Sequence, residues 1–144
     1  MATIEAGKSF AAYLPKGIVV FLHGDLGAGK TTFVRGVLQG LGHSGRVKSP
    51  TYTIVEPYNV SGREFNHFDL YRFNDEEEWE MAGFREYLND ESVCMIEWPE
   101  KAANLLPDAD IDIELSHIEQ GRSIKYIANT DKALQLLSQM KNND

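Results

Sequence analysis

The stretch Gly24-Asp25-Leu26-Gly27-Ala28-Gly29-Lys30-Thr31 has the spacing G-x-x-x-x-G-K-T and follows directly on the apolar run Ile18-Val19-Val20-Phe21-Leu22. This pattern constrains the fold because it works only as strand, loop and helix in that order. Glycines let the backbone curl with its N–H groups pointing inward, where they and the dipole at the start of the next helix hold phosphate oxygens. In such a loop Lys30 reaches the terminal phosphates of a nucleoside triphosphate, and Thr31 offers its hydroxyl to Mg²⁺. The alternative, a glycine-rich turn without a ligand, does not account for the strand and helix on either side.

The chain has 144 residues, 42% of them hydrophobic, which is enough for one sizeable core and too little for two ordinary ones. A single domain over residues 1–144 is therefore expected. Its net charge of −8 repels a phosphate backbone, so any contact with RNA is expected to run through partners. The one cysteine, Cys94, lies in the run Val93-Cys94-Met95-Ile96 and reads as a small buried hydrophobe. No apolar stretch approaches the roughly 18 residues of a membrane span, and the start lacks the pattern of a leader peptide. A soluble, cytoplasmic protein with no membrane contact is expected.

Along the chain, Ile4, Phe10, Ala11 and Leu14 fall on one helical face after a possible cap at Thr3, and Pro15-Lys16-Gly17 stops that helix. The loop helix carries Phe33, Val34, Val37, Leu38 and Leu41 at spacings of three and four, with Gly40 and Gly42 as its stop. Lys48 to Val55 reads as an extended segment because Pro50 biases Ser49 away from helix. Asn59 to Gly62 reads as a turn and Glu64 to Leu70 as a strand. Asn74, with Glu77 three residues on, predicts the start of an acidic helix.

Val93 to Ile96 fits a buried parallel strand that ends in Glu97-Trp98-Pro99. Ile111, Ile113 and Leu115, then Ile124 and Tyr126 across Gln120-Gly121, alternate with polar residues and predict an antiparallel hairpin. Asn129 or Thr130 then caps a last helix carrying Ala133, Leu134, Leu137 and Met140. The expected architecture is α/β, a mostly parallel sheet of the P-loop NTPase type flanked by helices, with an antiparallel hairpin near the C-terminus.

A phosphate loop alone does not hydrolyse a nucleotide: the metal must be held from a second side, and a water must be set in line with the γ-phosphate. Glu97 stands where the second acid belongs, at the carboxyl end of an apolar strand, the end that faces the nucleotide crevice in a doubly wound sheet. Asp69, in His67-Phe68-Asp69-Leu70-Tyr71-Arg72, is also near a strand end, with an ion pair to Arg72 as its plainer reading. Thr51 and Thr53, after Pro50, are candidates for a γ-phosphate-sensing segment or simple strand formers. No N-K-x-D or D-x-x-G segment follows the loop, which argues against guanine specificity. The four histidines show no zinc-ligand spacing.

The series Gly24 to Thr32, Ser49-Pro50-Thr51, His67 to Arg72 and Glu97-Trp98-Pro99, in that order, closely resembles the bacterial TsaE (YjeE) family over nearly the whole chain. The resemblance implies a Mg²⁺-dependent ATPase required for the threonylcarbamoyladenosine (t6A) modification at position 37 of tRNAs reading codons that begin with adenine. It also implies work alongside the TsaD and TsaB transferase subunits, with tRNA met only indirectly. Carried onto this chain, Lys30 and the backbone of Gly24, Asp25, Leu26, Gly27, Ala28 and Gly29 hold the phosphates of ATP. Thr31 and Glu97 hold Mg²⁺, and Thr32 contacts the α-phosphate side. Asp69 organises the hydrolytic site, Thr51 belongs to the switch-like segment, and Trp98 shapes the site beside Glu97. Members of the family carry further residues ahead of the first helix, including an adenine-side contact, so the resemblance leaves the base-contacting residues unassigned. Two other functions fit a phosphate loop: a phosphotransferase acting on a small metabolite, and an ATP-sensing interaction module that does not hydrolyse.

Overall fold

The computed structural model describes residues 2–25, 27–47, 54–73, 83–119 and 121–142. Helix α1 spans Ala2–Ala11, strand β1 Ile18–His23 and helix α2 Lys30–Gly40. Strands β2 (Val55–Val60), β3 (Arg63–Asp69) and β4 (Ser92–Glu97) follow. Strands β5 (Ile111–Ile118) and β6 (Gly121–Ala128) and helix α3 (Asp131–Asn142) complete the order.

The six strands make one sheet in the order β2-β3-β4-β1-β5-β6. The four central strands run parallel, and β2 and β6 close the two edges as antiparallel partners of β3 and β5. Strand β1 lies between β4 and β5, so the loop that leaves it is surrounded by the ends of its neighbours. All six residues of β4 are buried, as a parallel strand covered on both faces requires.

Alternation along β1 divides the core in two. Ile18, Val20 and Leu22 pack with Phe10 of α1, Phe33, Val34, Val37 and Leu38 of α2, and Ala133 and Leu136 of α3. Val19 and Phe21 face the opposite way, toward Phe68, Leu70, Cys94, Ile96 and Ala102. On that second face the described cover includes two short 3-10 turns, Phe84–Tyr87 and Pro99–Ala102. Cys94 is 1% exposed, and burial pushes its thiol pKa up, in keeping with a packing role.

Several local expectations change. Thr3 lies inside α1 and is buried, so it packs rather than caps. The first antiparallel strand runs through Asn59 to Val60, and Pro57 is accommodated because β2 is an edge strand. The turn to β3 is therefore only Ser61-Gly62. The C-terminal hairpin forms where alternation places it, with Ile113 opposite Tyr126 and Leu115 opposite Ile124. Thr130 caps α3, its Oγ1 accepting the Ala133 N–H at 3.3 Å, but Leu134 is 57% exposed and Leu136 takes the core position. The predicted acidic helix after Asn74 and the segment from Lys48 to Thr53 lie outside the described residues.

Helices α1 and α2 cross backbone to backbone. A Cβ on Gly36 would stand 2.3 Å from the carbonyl oxygen of Ile4, and one on Gly7 would stand 2.4 Å from that of Phe33. Alanine at 36 gains about 1 kcal/mol in helix propensity. The clash is with main chain that cannot rotate aside, and separating the helices costs about 3 kcal/mol. Gly36→Ala is therefore expected to lose about 2 kcal/mol net and to lower Tm by about 5 °C. Thermal unfolding followed by circular dichroism checks this, and an unchanged or raised Tm refutes the close crossing.

Candidate phosphate and metal site

The site is assembled where β1, β3 and β4 end and α2 begins. Glu97 is the last residue of β4, and its backbone is in register with Leu22 on one side and Asp69 on the other. Both acids thus leave the sheet at the same level, beside the loop that follows β1. The Thr31 hydroxyl, in the first turn of α2, donates to Glu97 Oε2 at 3.0 Å.

The loop itself folds back on its own backbone: the Ala28 N–H donates to the Asp25 carbonyl at 3.0 Å. Gly27 and Gly29 have φ of 80° and 104°, the left-handed region that glycine enters without steric cost. Gly29 is the N-cap of α2 and supplies no side chain, so the amides of the first helical turn remain available to an anion. Gly24 meets β5 closely, since a Cβ there would lie 2.5 Å from the Leu115 carbonyl oxygen. Leu26 lies outside the described residues.

Lys30 is 5% exposed. Its Nζ donates to the Gly24 carbonyl at 2.5 Å and sits 3.7 Å from the centre of the Trp98 ring, a cation–π contact. Burial lowers its pKa, while the charges of Glu97, Asp69, Glu100 and Asp25 act in the opposite direction. Trp98 reaches this position because its own backbone is left-handed, φ 58° and ψ 50°, between Glu97 and Pro99. For a residue with a Cβ that conformation costs about 1 kcal/mol.

Asp69 is not ion-paired with Arg72 among the described residues. Its Oδ1 instead accepts the Tyr71 N–H at 3.1 Å. Burial, then the neighbouring charge of Glu97, pushes its pKa up, against the Tyr71 hydrogen bond, His67 and Lys30. A carboxylate held in this way is a stronger proton acceptor than a solvated aspartate.

Two residues at the site were not singled out for it by sequence reasoning. His67 is fully buried, and its Nε2 lies 2.6 Å from Glu97 Oε2, the same oxygen that accepts from Thr31. The available signal was its place two residues before Asp69, which puts both on one face of a strand. Arg122, at the start of β6, donates from Nε to the Ala28 carbonyl at 3.1 Å and from Nη2 to the Gly27 carbonyl at 3.4 Å. No local pattern marks it.

A cavity of about 330 Å³ is lined by Gly27, Gly29, Lys30, Thr31, Thr32, Asp69, Tyr71, Glu97, Trp98 and Arg122. It brings together most of the residues named from sequence; Thr51 lies outside the described residues. A larger cavity of about 560 Å³ opens beside His23. Three of its polar groups bond one another, His23 Nε2 lying 2.7 Å from Asp112 Oδ1 and Asn129 Nδ2 donating to Asp112 Oδ2 at 2.8 Å. The donor set in the smaller cavity suits two different ligands. Hydroxyl and carboxylate oxygens of Thr31 and Glu97 match a hard divalent cation such as Mg²⁺. The uncapped helix start and Lys30 match a phosphate chain.

A central strand leading through a glycine loop into a helix, with an acid at the end of the adjacent parallel strand, defines a mostly parallel α/β fold of the P-loop NTPase type. Within that class, the family model "Threonylcarbamoyl adenosine biosynthesis protein TsaE" matches residues 1–124, and the chain belongs to the TsaE family. A Haemophilus influenzae protein named tRNA threonylcarbamoyladenosine biosynthesis protein TsaE is 50% identical, over 96% of this chain and 91% of its own length. The Bacillus subtilis protein of the same name is 36% identical, over 99% of this chain and 89% of its own. A solved structure titled as that of B. subtilis YdiB superposes with a TM-score of 0.83 at 31% identity, covering 99% of this chain and 89% of that one.

Proposed function

We propose that this chain, acting as one domain, is a Mg²⁺-dependent ATPase that serves t6A formation on tRNA together with the TsaD and TsaB transferase subunits. The observation that carries the reading is the 3.0 Å contact of the Thr31 hydroxyl with Glu97, beside Lys30 and the uncapped start of α2. The name of the family supplies the pathway.

In this mechanism Lys30 and the loop amides bind the β- and γ-phosphates, and Thr32 borders the α-phosphate side. Thr31 and Glu97 hold the Mg²⁺. When bound, Mg²⁺ neutralises charge on the phosphate oxygens and orients them for in-line attack. His67 fixes the Glu97 carboxylate by its hydrogen bond to Oε2, so that the carboxylate is oriented before the metal arrives. Asp69, held basic by burial and by Glu97, accepts the proton of the attacking water. Trp98 closes the cavity over Lys30 and excludes solvent from its ammonium.

The net charge of −8 disfavours direct tRNA binding, so the RNA contact falls to the partners. Among the described residues no helix is long and apolar enough to cross a membrane, which is compatible with action in the cytoplasm. Single-turnover phosphate release by the purified chain, with and without TsaD and TsaB, tests the reading. Slow release alone and severalfold faster release with the partners is expected. Phosphate found on a small-molecule acceptor, or a rate indifferent to the subunits, overturns it.

A further inference from the structure

Arg122 reaches the glycine loop from β6, and it also lines the phosphate cavity. The hairpin of β5 and β6 runs past the loop, with Leu115 against Gly24 and Arg122 against Gly27 and Ala28. Among the described residues no carboxylate pairs with Arg122, although it is an exposed cation on an acidic chain. Its donors are turned instead to two successive carbonyl oxygens.

Those carbonyls belong to the peptide units that carry the amides of Ala28 and Gly29. The described peptides are trans, so each N–H points away from its own carbonyl. The Ala28 N–H is already bonded to Asp25. The Gly29 N–H lies across its peptide from Arg122, and Gly29 lines the cavity with Lys30 and Thr31. A charged donor on a carbonyl polarises the peptide and strengthens the N–H on the opposite edge. The planar fork also fixes two neighbouring units of a segment whose glycines are otherwise free to turn.

We propose that Arg122 is a positioning residue that presets the glycine loop for a phosphate group, gripping the carbonyls of Gly27 and Ala28 so that the Gly29 amide is aimed and strengthened toward the anion. The inference rests on the nucleotide reading above. It acts through the loop, so it applies to a diphosphate as much as to a triphosphate.

Calorimetric titration of Mg-ADP and Mg-ATP into wild type, Arg122→Ala, Arg122→Gln and Arg122→Lys tests it. Arg122→Ala is expected to weaken both nucleotides by about tenfold, with Tm within about 2 °C of wild type because the residue is exposed. Arg122→Lys should recover only part of the loss, since an ammonium cannot span both carbonyls, and low-millimolar guanidinium should restore Arg122→Ala further. ADP affinity within about twofold of wild type in Arg122→Ala and Arg122→Gln overturns the proposal. So does a loss confined to ATP, which assigns Arg122 to direct contact with the terminal phosphate. If wild type binds neither nucleotide, the nucleotide reading itself falls and this one falls with it.

Discussion

Lys30→Ala is expected to weaken Mg-ATP binding by about 10- to 150-fold, the equivalent of a charged hydrogen bond worth about 1.5 to 3 kcal/mol. Two effects oppose each other at this residue. Burial makes its charge costly, which by itself would favour removal; the surrounding acids Glu97, Asp69, Glu100 and Asp25 make the charge favourable. For a polyanionic ligand the second effect decides. Without the ammonium, the acids face the phosphates uncompensated, and the Gly24 carbonyl and the Trp98 ring lose the cation between them. Calorimetry with circular dichroism as a fold control checks the outcome. An affinity within about threefold of wild type removes Lys30 from the phosphate site.

Glu97→Gln is expected to lower single-turnover hydrolysis by at least about a hundredfold while costing far less in nucleotide binding. The amide keeps the volume of a buried side chain but removes the charge that faces the metal. It also brings an NH₂ group to a site where Thr31 and His67 both meet a carboxylate oxygen. A second consequence concerns Asp69. The charge of Glu97 is one of the causes raising the Asp69 pKa, so in the variant Asp69 ionises at lower pH. In the metal-free protein the Asp69 carboxyl should then titrate at a lower pH than in wild type, which NMR of the side-chain carboxyl against pH reads directly. An unchanged hydrolysis rate, or an Asp69 titration that moves up, contradicts the role given to this acid.

What could be read in the sequence was local. Glu97 was found because a short apolar run ends in an acid, and the loop because glycines and lysine recur at fixed spacing. The Thr130 cap and the C-terminal hairpin follow from the same kind of signal. The residues that were missed act across the chain. His67 meets Glu97 only because β3 and β4 pair in the register that sets Asp69 beside Glu97. Arg122 reaches the loop only through the path of β6. Thr3 reads as a cap from its type alone, whereas the helix begins before it and turns it into the core. Leu134 and Leu136 sit on different faces of α3, and only the packed structure shows which one reaches the core. The reason for Gly36 is the carbonyl of Ile4 on a separate element, which no local pattern marks.

The central place of β1 has a consequence for how the chain is made. As the polypeptide leaves the ribosome, β1 is finished early, yet Ile18 waits for Val93 and Val20 waits for Ile111 before either edge of the strand is satisfied. Until then its apolar side chains and open hydrogen-bonding groups are available to any other extended chain nearby. Pairing over such sequence distances is slow, because the loop must close before the contact is gained. Gly24 meets the Leu115 carbonyl only once β5 has paired with β1. Nascent chains that stall before β5 is released therefore expose a sticky strand, and they are the species on which a chaperone would act.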